Sequence, residues 1–438
     1  MRDHIAEIKR SMEKRKSDYP IEELLSLDAE WRTMQTKLEE LRSRRNKSSL
    51  EISQMKKNAD GDWDGIAAQI DAKISDISRI KAEIEAIEAE MPSYNSRIEE
   101  LLWNMPNVLD ESVPYGNDDT ANVEISVWGD KKRPNTRKTH EEALASLGLL
   151  DMEDAARVSG ARFYYMMGDI ALLEQSLIRF ALDELNGKGY VPVSPPLMLK
   201  KDFYRGVTAV GDFQDALYMA TDSKESESLK DLERAGNDLF LIATSEHAIA
   251  AMHSGKNFSA KDLPLKYAGV SPCFRREAGA HGKDSKGIFR SHQFYKVEQF
   301  IFCDQDSSQE YFKELLGNAE GIYRKLGIPY RTVNICTGDI GSVAAKKVDI
   351  EAYMPMQEAY REVVSCSNCT DWQSLRLDIK YDRGGERKYV HTLNCTAIAA
   401  GRTIVAIVEN YLEDDGTIRI PEALVPYMGK RHIGTKKE

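Results

Sequence analysis

Long apolar runs are missing from this chain. Nowhere do its 438 residues include 18 consecutive apolar positions, so no helical membrane span is expected. The opening MRDHIAEIKRSMEKRK also lacks the apolar core of a secretory signal. Cysteine is scarce. Cys273, Cys303, Cys336, Cys366, Cys369 and Cys395 are scattered through a large chain, which argues against a disulfide framework and for reduced thiols in the cytoplasm. Positive charge is in deficit. With 60 Lys and Arg against 71 Asp and Glu the net charge is −11, which argues against indiscriminate nucleic-acid binding but leaves room for a local basic surface. Aromatic residues are only 8% of the chain and charged residues 30%, as in a soluble globular protein with one strongly polar segment. The length allows about two or three domains and a sizeable core.

What is present begins with helical periodicity. Leu27, Trp31, Met34, Leu38 and Leu41 are spaced alternately by four and three, and the register resumes at Ile52 and Met55 after polar interruptions at Arg45 and Ser48. A second run, Ile77, Ile80, Ile84, Ile87, Met91, Tyr94, Ile98 and Leu101, keeps the alternation throughout. Such alternation is a coiled-coil seam. Between the runs lies KKNADGDWDG, which is turn chemistry. Two long helices joined by a short turn must be antiparallel, and at 1.5 Å per residue the hairpin would extend roughly 40–60 Å. Both outer faces are densely charged, which favours a projecting arm over a buried bundle. Near the tip, Arg42, Arg44, Arg45, Lys47, Lys56 and Lys57 face only Glu51 between residues 42 and 57. A charge run alone is usually a solvated face. On a projecting arm of an acidic chain it points to a phosphate-backbone partner.

The remainder is mixed. We expect a helical arm over 1–108, a linker over 109–122 rich in Asp, Asn, Pro and Gly, and a third segment over 123–438. GDIALLEQSLIRFALDELNGKGY (168–190) reads as an amphipathic helix ended by glycines, and VPVSPPLML after it as extended, proline-stiffened chain. Residues 239–247, 265–277, 291–303, 358–367 and 389–397 have strand composition. Helices are expected at 308–326 and 402–412. Strands following strands with irregularly interspersed helices predict an α+β domain on an antiparallel sheet. The very polar stretch 221–238 reads as a solvated insertion near the site, and the basic end MGKRHIGTKKE as a disordered tail.

The chemistry concentrates in FRREAGAHGKDSKGIFRSHQFYKVEQF (274–300). Strand side chains alternate faces, so Arg275 and Glu277 share one face, as do Arg290, His292, Phe294, Lys296 and Glu298. Tyr295, Val297 and Ile301 fall on the other, which gives a sheet with one packed and one working side. Guanidinium groups suit phosphates and carboxylates, carboxylates suit an ammonium, a hydroxyl or Mg²⁺, and an aromatic face suits a base. ATP together with an amino acid would use all of them.

These residues resemble motif 2 of the class II aminoacyl-tRNA synthetases, and the seryl-tRNA synthetases in particular, with FRREAGAHGKDSKGIFR closer to the archaeal and eukaryotic branch. GRTIVAIVENYLEDDGTIRIPEALVPYM (401–428) resembles motif 3, and the helix and proline-bearing strand from 168 resemble motif 1. TSE (244–246), YREVVSCSNC (360–369) and HTLNCTA (391–397) resemble signatures of the serine enzymes, and the hairpin resembles their tRNA-binding arm. The resemblance spans essentially the whole chain. It implies activation of L-serine with ATP and transfer to tRNA(Ser), and to tRNA(Sec) where the cell has one, by a homodimer with Mg²⁺ and without structural zinc. By that resemblance Arg275 holds the α-phosphate and the substrate carboxylate, Glu277 meets the adenine amino group, and Phe294 and Arg402 sandwich the ring, with Arg402 reaching the γ-phosphate. Arg290, Arg276, Val363 and Val364 complete the ATP site, and Glu362 and Ser365 hold Mg²⁺. Thr244, Ser245, Glu246, Glu298 and Thr396 surround serine with Asn394 nearby, and Arg42, Arg44, Arg45 and Lys47 contact tRNA. Arg275, Arg402 and Glu362 are the expected catalytic groups.

The motif departs from the family at Arg276, often serine, at Cys395 in place of glycine, and at Thr396 in place of serine. Cys366-Ser-Asn-Cys369 lacks a second pair at zinc spacing. No Ser-His-Asp arrangement is found, and a reaction run by positioning and charge needs none. The rival expectation is an arm-bearing paralogue that binds RNA without catalysis.

Overall fold

The structure, a computed structural model, describes residues 4–58, 64–131, 138–209, 217–220, 239–277 and 287–434. Residues 59–63 of the expected turn, the insertion 221–238, the loop residues 278–286 and the last four residues of the basic tail lie outside these. By contacts the chain divides into two units: Ser17–Met105, and Met1–Lys16 together with Pro106–Glu438.

In the first unit, α2 (Ile21–Asn58) and α3 (Asp64–Asn104) form the helical hairpin, and α1 (Ile5–Arg15) belongs to the other unit. Leu38, Leu41, Ile80, Ile84 and Ile87 interlock as its buried seam, flanked by Met34 and Met91. Ion pairs cross between the helices at Arg97–Glu23 (2.8 Å), Lys73–Glu51 (2.5 Å), Arg44–Asp76 (3.3 Å) and Arg42–Glu88 (2.6 Å). Low numbers on one helix meet high numbers on the other, as an antiparallel register requires.

The second unit is built on an eight-stranded sheet. Its strands are β1 (Val123–Trp128), β2 (Val191–Val193), β3 (Leu265–Phe274), β4 (Gln293–Cys303), β5 (Tyr330–Asn334), β6 (Lys346–Met354), β7 (Ala359–Asn368) and β8 (His391–Ala399), in the order β1-β5-β6-β7-β8-β4-β3-β2. Neighbours are antiparallel except β2 with β3, which are parallel. Three amphipathic helices, α4 (Gly168–Asn186), α6 (Ser308–Leu326) and α8 (Ala400–Tyr411), bury their apolar stripes on one face of this sheet. Val297, Ile301, Ile350, Val364, Leu393 and Ile398 meet them from the strands. The opposite face of the central strands carries Lys296, Glu298, Ser365, Ser367, Asn394 and Thr396.

Two β-bulges decide which residues reach that polar face. Asp349 pairs with Ser365 and Ile350 with Val364, but Glu351 pairs with Glu362, so Val363 is an extra residue in β7. Likewise Val297 pairs with Ile398 but Glu298 with Thr396, leaving Ala397 extra in β8. At each bulge two consecutive residues, Val363–Val364 and Ala397–Ile398, sit in the core cluster. The alternation therefore slips by one, and Glu362 falls on the same side as Ser365, three positions away.

The tail expectation is corrected in part. Ile418–Arg419 pairs antiparallel with His432–Ile433, and Ile433 is fully buried in the main core, because an apolar side chain near the end finds a site there.

Candidate active site

A cavity of about 330 Å³ opens on the polar face. Phe294, Lys296 and Glu298 of β4, Glu362 and Ser365 of β7, and Asn394 and Thr396 of β8 form its floor. Arg275, one residue past β3, Arg402 in the first turn of α8, and the loop 340–344 rim it. That loop is tied to α1, where Arg15 donates to the carbonyls of Gly341 (2.5 Å) and Ala344 (2.8 Å). Thr244, Glu246 and His247 come from the start of the short helix α5 (Ser245–Ala251). This helix lies so close to β3 that a Cβ on Gly269 would stand 2.4 Å from Ile249 Cδ1 and 2.7 Å from Ser245 Oγ, so any larger residue there would force Ile249 and Ser245 to shift.

One half of the cavity holds two buried carboxylates. Glu298 Oε2 lies 2.5 Å from Lys296 Nζ and accepts a hydrogen bond from Thr396 Oγ1 at 3.3 Å. Glu246 Oε1 accepts from Asn394 Nδ2 (3.0 Å) and from Gln373 Nε2 (3.2 Å) on α7 (Trp372–Leu377). Burial raises both carboxyls above the usual range. Glu246 reaches about 7, with the Glu298 charge adding to the effect of burial and Lys296 opposing it. Thr244 caps α5 by accepting from the Glu246 N–H at 3.3 Å. His247 is held neutral, lowered to about 3 by burial, with Nδ1 2.8 Å from the Tyr204 hydroxyl.

The other half is rich in guanidinium groups. Arg275 lies over the Phe294 ring (5.3 Å to its centre) and donates to the Ala243 carbonyl at 3.3 Å. Glu277, with a left-handed backbone (φ 48°), pairs with Arg290 at 2.6 Å. Both border a smaller adjoining hollow with Phe289, Phe294 and Arg402. Arg402 stands over Phe289 at 5.0 Å, and its Nη1 is 3.0 Å from Glu362 Oε1. The Glu362 carboxylate opens to the cavity yet is ringed by protein. Burial works against its charge, but Arg402, Lys347 and Arg275 outweigh burial and hold it at about 2. Lys347 pairs with Asp349 at 3.3 Å.

The sequence-predicted residues thus divide. Thr244, Glu246, Arg275, Phe294, Glu298, Glu362, Val363, Ser365, Asn394, Thr396 and Arg402 border the main cavity, and Glu277 and Arg290 the hollow beside it. Ser245 and Val364 are buried behind them. Ser245 Oγ donates to the Gly269 carbonyl at 3.2 Å, and Val364 packs in the core. Arg276 is exposed and borders neither space. Cys366 packs in the core opposite Cys395, while Cys369 borders the cavity, so the two thiols of the CxxC face different surroundings. Sequence reasoning gave no role to Lys296, Lys347, Gln373 or Phe289. Alternation in β4 already placed Lys296 beside Glu298, and that signal could have found it. In the arm, Arg42 and Arg44 engage Glu88 and Asp76, while no ion pair forms at Arg45 or Lys47 among the described residues.

Comparison with known proteins agrees with this arrangement. The model of the tRNA synthetase class II core domain (G, H, P, S and T) matches residues 228–411, and that of the seryl-tRNA synthetase N-terminal domain matches residues 1–109. A serine–tRNA ligase of Thermococcus sibiricus is 47% identical over 436 residues, covering 94% of this chain and 91% of that one. The seryl-tRNA synthetase of Pyrococcus horikoshii complexed with ATP superposes with a TM-score of 0.85 at 42% identity, covering 100% and 98% of the two chains. The cytoplasmic serine–tRNA ligase of Naegleria fowleri in complex with AMP also gives 0.85, at 35% identity and coverage of 99% and 96%. With near-complete coverage by archaeal and eukaryotic relatives alike, and with both the arm and the catalytic fold accounted for, the chain belongs to the seryl-tRNA synthetase family.

Proposed function

We propose that the cavity condenses L-serine with ATP to seryl-adenylate and passes the seryl group to tRNA(Ser), and to tRNA(Sec) where one is present. The observation that carries this reading is the division of the cavity into two halves. Two buried carboxylates and a threonine hydroxyl suit the ammonium and hydroxyl of serine, and the arginines beside them suit a triphosphate. The serine carboxylate attacks the α-phosphorus, a new P–O bond forms, and pyrophosphate leaves with the electrons of the broken bond. The terminal ribose hydroxyl of tRNA then attacks the carbonyl of the mixed anhydride and AMP departs. Two anions meet in the first step, so charge neutralisation and alignment do most of the work. Arg275 would bridge the serine carboxylate and the α-phosphate, and Arg402 would take the outer phosphates. Phe294 offers its ring to the adenine and Glu277 its carboxylate to the adenine amino group, with Arg290 beside it.

Glu362 and Ser365 offer hard oxygen donors on one face of β7, and Glu362 stays anionic, which fits Mg²⁺. The metal would add positive charge against the triphosphate; Glu362, released from Arg402, would hold it with Ser365. Arg42, Arg44, Arg45 and Lys47 would meet RNA phosphates. The exposed apolar residues Leu172, Val191 and Met198 on and after α4 favour burial against a second copy in a homodimer. We place the enzyme in the cytoplasm. A non-catalytic RNA-binding role is not supported, because the relatives that match nearly the whole chain are serine–tRNA ligases. The test is ATP–pyrophosphate exchange across the amino acids, followed by charging with tRNA(Ser). Serine-dependent exchange and charging are expected; exchange with another amino acid in place of serine would overturn the reading.

A further inference from the structure

We propose that Lys296 is a positioning residue for serine: by pairing with Glu298 it keeps Glu246 and Glu298 ionised together, each with one oxygen free for the substrate. The inference rests on the serine reading of this half of the cavity and names the group on which that half depends.

The hydrogen-bond pattern is the first support. Both contacts of Glu298 fall on Oε2, from Lys296 Nζ at 2.5 Å and Thr396 Oγ1 at 3.3 Å. Both contacts of Glu246 fall on Oε1, from Asn394 and Gln373. Among the described residues Oε1 of Glu298 and Oε2 of Glu246 therefore have no partner. Each carboxylate is clamped at one oxygen and open at the other, which suits one ammonium and one hydroxyl.

The second support is the local charge. The titratable groups that line this half of the cavity are Glu246 and His247 from α5, Arg275 just beyond β3, Lys296 and Glu298 of β4, and Cys369 after β7, with Cys273 of β3, Cys395 of β8 and the Tyr204 hydroxyl buried behind them. His247 is neutral, and burial keeps all three thiols protonated. The charge balance is then two carboxylates against Lys296 and Arg275. Arg275 stands over Phe294 toward the phosphate half and is committed there on the proposed mechanism. Lys296 is left to neutralise the pair. It is only 7% exposed and Glu298 1%, so water does little of this work. Without the lysine, two nearby buried carboxyls would retain a proton, as like charges in one site do. A proton on either acid removes an acceptor that the serine ammonium or hydroxyl needs.

The predicted signature is a displaced pH dependence. Glu246 titrates near 7, raised by burial and by Glu298, so serine binding strengthens as pH rises through that region and the acid ionises. Removing Lys296 raises both carboxyls and moves this limb to higher pH. Removing the Glu298 charge lowers Glu246 and moves the limb the other way.

The test is the serine KM in ATP–pyrophosphate exchange by the full-length enzyme, at saturating ATP, from pH 6 to 9. Wild type, Lys296→Met, Lys296→Arg and Glu298→Gln are compared, with the ATP KM measured in each. For Lys296→Met we expect a serine KM at pH 7 raised about tenfold or more, an ATP KM close to wild type, and a limb displaced upward by about one unit or more. Lys296→Arg should follow the wild-type profile. Glu298→Gln should move the limb of its residual activity to lower pH, which decides the question should Lys296→Met fail to fold. A loss in Lys296→Met equal at every pH, or a limb unmoved in Glu298→Gln, would overturn the assignment. Wild-type enzyme that activates no serine at any pH would instead overturn the site reading on which it rests.

Discussion

Replacing Ile84 by alanine should weaken the helical hairpin and leave serine activation alone. Ile84 is 4% exposed and lies in a cluster of five buried apolar side chains among the described residues of the seam. Truncation removes about three carbons, worth about 2.4 kcal/mol at 0.8 per carbon. A cavity term comes on top, because long helices cannot collapse into the space, and buried Ile→Ala changes cost roughly 2–5 kcal/mol in total. We take about 3. A unit of about 90 residues is worth roughly 4–13 kcal/mol altogether. The loss is therefore a large share of the hairpin's stability. At about 4–8 °C per kcal/mol, its melting transition should fall by roughly 12–24 °C. The seam residues all belong to Ser17–Met105, and no cavity residue does. Hydrogen exchange with mass spectrometry on the full chain would follow α2 and α3 separately from the sheet. Exchange activity and tRNA charging would be assayed at a temperature between the variant's hairpin transition and that of the sheet. Charging should collapse there while pyrophosphate exchange persists. A serine-activation rate that falls together with α3 protection, or an unchanged hairpin transition, would refute the reasoning.

Two further outcomes are expected. Arg275→Ala should lower adenylate formation about 10²–10³-fold, corresponding to loss of about 3–4 kcal/mol of transition-state stabilisation, with the melting profile preserved; near-normal exchange by the folded variant would count against its role as a clamp. Analytical ultracentrifugation at micromolar concentration should show a dimer, and a monomer would remove the role given to the exposed residues around α4.

Period-2 alternation made much of the site legible. In QFYKVEQFIFC the even positions Phe294, Lys296 and Glu298 face the cavity, while Val297 and Ile301 lie in the helix-packed core, as the pattern implies. The same rule failed at β7 and β8, because a bulge has no sequence signal in YREVVSCSN or HTLNCTAIA. Glu362 could be placed with Ser365 only through family resemblance. TSEH was read as strand, but the strand is confined to Leu239–Leu241, and Ser245 begins a helix that Thr244 caps. Strand β6 was overlooked although VDIEAYM alternates. With it went Lys347, whose charge helps hold Glu362 ionised. Gln373 sits on a helix of six residues, too short for any periodicity to show. The 340–344 rim depends on contacts with α1, more than three hundred residues away in sequence, which local pattern cannot reveal.

The two bulges also bear on how this sheet can change over evolutionary time. Point substitutions at Val363 or Ala397 leave the count of residues intact, so the floor of the cavity keeps its parity. Loss of either residue would heal the ladder and could even improve its hydrogen bonding. Parity survives such a loss, because Glu362 and Ser365 would then flank Val364 alone, and Thr396 and Ala399 would flank Ile398 alone, so each strand alternates regularly with the same side chains on the floor. What each bulge adds is a local bend and extra twist, so its loss would be felt in the curvature of the floor and not in which residues face it. A one-residue deletion elsewhere in either strand would instead turn part of the floor over, so descendants of this chain can shed a bulge at these positions more readily than they can change length beside them.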